Sequence, residues 1–165
     1  MFCLFVCLRW LWLKAGKRER DGRKEIVLAV LVFYLLFLFQ VTVLRIGFGS
    51  RNMSKVFLVP FVNLFELVQC RRFGYCFYSV VGNLFWFLPL GFLLSFLWQK
   101  RSLWKVGLIG CLVSLSIEIL QFLCKTGVSD IDDVLINTAG AVIGYAFYTG
   151  VLAVYRNNQG KRDKN

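Results

Sequence analysis

Long apolar runs separated by short polar stretches set the pattern of this chain. The clearest run is IVLAVLVFYLLFLFQVTVL, residues 26–44, whose polar members are Gln40 and Thr42. At ~1.5 Å per residue such a run reaches across the ~30 Å hydrocarbon layer of a bilayer, so it predicts a spanning helix. Three further spans are predicted. One runs roughly from Phe77 to Trp98 and contains Asn83, Pro89 and Gly91. The next runs from about Leu103 to Leu123 and carries Ser114, Ser116, Glu118 and Gln121. The last runs from about Ile131 to Tyr155; it opens with Asp132 and Asp133 and continues through Asn137, Gly140 and Gly144.

The segments between and around these spans read differently. In residues 45–76, Gly47, Gly49, Ser50 and Asn52 break a helix. VFLVPFVNLFELV, residues 56–68, is interrupted by Pro60, Asn63 and Glu66, which makes it too polar to span comfortably. It predicts a short interfacial or re-entrant helix near 57–70 that starts at about Pro60, since proline is tolerated in a first turn. Residues 1–13 are apolar but too short to cross, and their basic residues follow rather than precede them, unlike a secretory signal. Arg9, Trp10 and Trp12 suit a headgroup region, so this stretch reads as interfacial. The expected fold is an all-α integral membrane protein, a four-span helical bundle plus the short segment near 57–70. Its parts are an N-terminal apolar and basic stretch (1–25), a transmembrane domain (26–155) and a polar tail (156–165).

Composition agrees. The chain is 58% hydrophobic, 17% aromatic and only 18% charged, where a soluble chain averages ~45–50% apolar. Net charge is +11, but the basic residues cluster beside apolar runs, which points to orientation and anionic headgroups and away from nucleic acid. Lys and Arg number six in 14–24, three in 100–105 and four in 156–164, against five in 45–72 and Lys125 alone in the last loop. The positive-inside rule then puts the basic stretch before the first span and the C-terminus in the cytoplasm. There are six cysteines and no histidine. With no CxxC pair either, no metal site is expected. Cys70 and Cys76 would share the outer side, either as a disulfide or as small apolar residues.

Polarity inside the apolar runs is where chemistry is expected. Ser114, Glu118 and Gln121 are spaced i, i+4, i+7 on one helix face. Asp130, Asp133 and Asn137 are spaced i, i+3, i+7 where the last span begins. Asp130 also suits a helix cap, and both readings stay open for it. By the predicted topology these groups and Asn83 lie near one depth, toward the outside. They form either an outward ligand-binding cavity lined by Asn83, Glu118, Gln121, Asp130, Asp133 and Asn137, or a hydrogen-bond network holding helices together. Glu118 and Asp133 are candidate acid and base if the protein is an enzyme. Pro89 and Gly91 predict a kink, and the four-residue spacing of Gly140 and Gly144 predicts close helix packing.

Taken together, N-x5-P-x-G (NLFWFLPLG), S-x3-E-x2-Q and D-x2-D-x3-N-x2-G-x3-G resemble the VanZ-like family of small bacterial membrane proteins. VPFVNLFEL resembles that family's Pro-Phe loop at Pro60 and Phe61, and the likeness covers roughly residues 57–148. The family's polar signature falls on Asn83, Pro89, Gly91, Ser114, Glu118, Gln121, Asp130, Asp133, Asn137, Gly140 and Gly144. Phe57 stands where members commonly have Asn, and Gly127 where many have Arg; Lys125, Arg45 and Arg51 are the cations available instead. The resemblance implies a cell-envelope role and reduced susceptibility to teicoplanin, a lipid-tailed glycopeptide. The partners expected are the bilayer and an envelope lipid or lipoglycopeptide, with no cofactor. The alternatives are a membrane enzyme on a lipid-linked substrate, a transporter that must oligomerise, and a structural or partner-binding protein.

Overall fold

A computed structural model of the chain describes residues 21–44, 56–61, 65, 73–98 and 102–162. In chain order these form α1 (Gly22–Thr42), β1 (Val56–Phe57), α2 (Phe73–Leu97), α3 (Leu103–Cys124), β2 (Ser129–Asp130) and α4 (Ile131–Arg162). Each of the four helices is long and apolar enough to cross a membrane. Phe33 and Phe37 of α1, Phe85 of α2, Leu112 and Ile119 of α3, and Phe147 and Val151 of α4 all lie exposed on the outer surface. In water such a surface would be an aggregation hazard; against acyl chains it is the solvated state.

The interior joins Leu31 and Leu38 of α1 to Phe87, Leu90 and Leu94 of α2 and to Ile117 of α3. The most extensive contact is between α2 and α4, with α3 packed on α4. Glycine makes the first contact possible. A Cβ on Gly91 would overlap the backbone carbonyl of Ala141, one on Gly140 that of Leu84, and one on Gly144 that of Leu88. The two backbones thus touch directly, as small residues permit in a bilayer.

Several boundaries differ from the sequence expectation. Helix α2 begins at Phe73 and runs unbroken through Pro89 to Leu97. Helix α4 does not stop where the apolar run does but continues through Arg162, because backbone hydrogen bonding is indifferent to side-chain polarity. The segment expected to be helical from 57 opens instead as a strand: Val56 and Phe57 pair in parallel with Ser129 and Asp130. Pro60 and Phe61 then form a turn, and Phe65 is helical. The rest of 57–70, the segment 1–13, Arg45, Arg51, Asn63 and the Cys70 and Cys76 side chains lie outside the described residues.

Helix α3 ends in a Schellman-type cap. Lys125 adopts the left-handed conformation at φ 54°, and its N–H donates to the carbonyl of Phe122 at 3.2 Å while the Thr126 N–H donates to that of Gln121 at 3.0 Å. This turns the chain sharply enough for β2 and α4 to begin beside the helix they have just left.

Candidate functional site

Glu118, Gln121, Asp130 and Asp133 lie toward one end of the bundle, where α1 and α3 finish and α2 and α4 begin, while Ser114, paired with Asn137, lies further in, at the middle of α3. The Glu118 carboxylate, 6% exposed, accepts the backbone N–H of Asp130 through Oε2 at 3.0 Å. Its own backbone carbonyl accepts the Ser129 hydroxyl at 2.9 Å. Glu118 thereby ties α3 to β2. Asp130 accepts the N–H of Asp132 at 2.9 Å, which is the N-cap geometry for α4.

The acidic run then fans outward. Asp133 accepts from the amide of Asn83 at 2.5 Å, joining α4 to α2. Asn137 donates to the Ser114 hydroxyl at 2.7 Å, joining α4 to α3, and both residues are buried. Gln121 donates to the carbonyl of Thr42 at 3.2 Å, joining α3 to α1. A single polar layer therefore links all four helices. Three buried atoms in or beside it, Thr126 Oγ1, Asp132 Oδ2 and Asn137 Oδ1, have no hydrogen-bond partner among the described residues. Lys125, the described candidate for the counter-ion, is exposed at the end of α3.

Asp132 belongs to this layer although its spacing does not mark it. It is 1% exposed and accepts the Phe61 N–H at 2.7 Å. Phe61 has φ 66°, an uncommon conformation for a bulky residue that persists where the surroundings hold it. Asp132 supplies that hold, so the Pro60–Phe61 turn is pinned onto the first turn of α4. The signal in the sequence was the first Asp of the Asp132-Asp133 pair, which reads equally well as helix-terminus charge. Gly91, Gly140 and Gly144 lie away from these contacts, in the α2–α4 seam, and Pro89 lies within α2. No group of three or more acidic or sulfur ligands among the described residues is arranged to hold a metal ion.

Four apolar helices tied at one end by buried carboxylates and amides define a multi-pass membrane protein with a concentrated polar site. The chain belongs to the VanZ/LLP1 family, whose pattern matches residues 26–154. It is similar to Protein VanZ of Enterococcus faecium, 27% identical over 150 residues that cover 90% of this chain and 84% of that protein. No solved structure matches it.

Proposed function

We propose that this chain acts in the bacterial cell envelope and lowers susceptibility to lipid-tailed glycopeptides such as teicoplanin, through the polar layer around Glu118. The observation that carries the reading is the burial of Glu118 and Asp132 together at one end of a membrane bundle, with Asn137 buried further in. Carboxylates are costly at such depth, and intramembrane ionisable groups are by default functional. The charge count supports placing this end outside, where an envelope amphiphile would meet it.

The test is susceptibility of a sensitive Gram-positive host expressing the chain, or its Glu118→Gln or Asp133→Asn variant, at equal membrane levels. Protection against teicoplanin but not vancomycin, lost in both variants, is the expected result. Absence of protection from well-inserted wild-type chain overturns the reading. A structural role is the second reading, favoured by the fact that the bonds of the layer each join two elements. In that case Glu118→Ala depletes folded protein from the membrane and leaves no folded but inactive population.

A further inference from the structure

One short segment lies against the polar end of the bundle without being packed into it. Val56 and Phe57 pair in parallel with Ser129 and Asp130, and further on the Phe61 N–H donates to Asp132 Oδ1 at 2.7 Å. Among the described residues, these backbone ties are what fastens Val56–Phe61 to the helices. Its apolar side chains add little to the hold: Leu58 is 76% exposed, and Val59 and Phe61 are exposed as well. Few buried apolar contacts mark the parts of a fold that open before the rest. Phe61 works against the closed position too, since a bulky residue at φ 66° is held there against its preference.

The fastenings fall on the site itself. The two residues that pair with β1 are the two that engage Glu118: Ser129 donates its hydroxyl to the Glu118 carbonyl, and Asp130 its N–H to the carboxylate. Val56, Phe57 and Leu58 also share with the buried Glu118 the walls of one groove of 310 Å³. We propose that Val56–Phe61 is a strap that opens and closes over Glu118 as one unit, with the Asp132 carboxylate as its latch. Ser129, Asp130 and Asp132 are near neighbours in the chain, so loosening the strap at one of them loosens it at the others. A ladder of two residues and one hydrogen bond is a small hold beside that of the spanning helices, whose backbone is bonded throughout. The strap thereby sets access to Glu118, whatever molecule the site serves.

The test is residue-resolved hydrogen exchange of the full chain in phosphatidylcholine nanodiscs, read beside labelling of Glu118 by dicyclohexylcarbodiimide, an apolar reagent that couples to carboxyl groups within bilayers. In the wild type, β1 and Phe61 should share one opening rate, well ahead of residues 137–144 in α4. Asp132→Ala should speed exchange at β1 and Phe61 together, about ten-fold, the effect of one lost hydrogen bond. Glu118 labelling should rise with it. Asp132→Asn removes the charge but keeps an accepting oxygen, and should leave exchange and labelling as in the wild type. Faster exchange at Phe61 with β1 unchanged overturns the single unit. Faster exchange at both with Glu118 labelling unchanged overturns the cover over Glu118. Acceleration that extends through residues 137–144 would mean that Asp132 holds the start of α4 and latches nothing.

Discussion

Polar side chains in this bundle are held in pairs, and the pairs matter more than the individual residues. Asn137 and Ser114 show why. The Asn137 amide donates to the Ser114 hydroxyl at 2.7 Å, and its Oδ1 already lacks a partner among the described residues. Ser114→Ala strands the whole amide in an apolar setting, at a cost of ~1–3 kcal/mol. Replacing both partners with apolar groups removes the demand itself. Thermal denaturation in detergent should therefore show a lower midpoint for Ser114→Ala and recovery in Ser114→Ala with Asn137→Leu. If the double variant is less stable than the single one, the pair does more than satisfy itself. Asp132 allows a second prediction. Asp132→Asn keeps an oxygen that accepts the Phe61 N–H, and Asp132→Ala does not. Hydrogen exchange at Phe61 should be unchanged in the first and roughly ten-fold faster in the second, as expected for the loss of one hydrogen bond. Helical spacing made Ser114, Glu118, Gln121, Asp133 and Asn137 legible as members of one layer. It did not reveal their partners, since pairing crosses between helices whose relative rotation no local pattern encodes. Asp132 stayed hidden for the same reason, because its partner is a backbone N–H 71 positions away.

Among the elements, α2 and α4 are the pair that leaves least room for change. Gly144 lies against the carbonyl of Leu88, whereas Gly150, two turns further along α4, has nothing within 4 Å of where a Cβ would be. Alanine favours a helix over glycine by ~1 kcal/mol. Propensity alone would make both substitutions helpful. Contact makes one of them harmful: Gly144→Ala must push two backbones apart, an overpacking cost of ~1–3 kcal/mol, while Gly150→Ala should be neutral or slightly stabilising. Melting of the two variants in the same detergent distinguishes seam from surface, and equal midpoints would mean that the helices can slide to make room. The four spans themselves were readable, because nineteen or more nearly unbroken apolar residues have few other fates. The two-residue strands were not, since a pair that short carries no period to detect. The polar extension of α4 escaped for a different reason. Hydropathy marks where a helix leaves the membrane, not where its hydrogen bonds stop, and Arg156, Lys161 and Arg162 continue the helix as exposed residues.

The arrangement of the whole molecule turns a question about a site into a question about a side. Glu118, Asn83, Asp133, Gln121 and the Phe61 turn share the end of the bundle opposite the end of α4, so any measurement that orients one of them orients all. Charge supplies the expectation. Lys and Arg total thirteen in the stretch 14–24, the loop 100–105 and the tail 156–164, against six in the alternate loops, with Arg9 before the first span outside the count. By the positive-inside rule this bias predicts α4's end in the cytoplasm and the polar layer outside. The contrast is narrowed by five basic residues between 45 and 72, on the side assigned to the outside. Labelling resolves it. In a background with all six cysteines replaced, Lys125→Cys lies at the exposed end of α3 and Lys161→Cys on the exposed end of α4. A membrane-impermeant maleimide applied to intact cells should modify the cysteine at 125 and reach the one at 161 only after lysis. The opposite pattern would place Glu118 and its neighbours in the cytoplasm. No teicoplanin molecule outside the cell could then reach them, and the working face would have to serve a ligand of the inner leaflet.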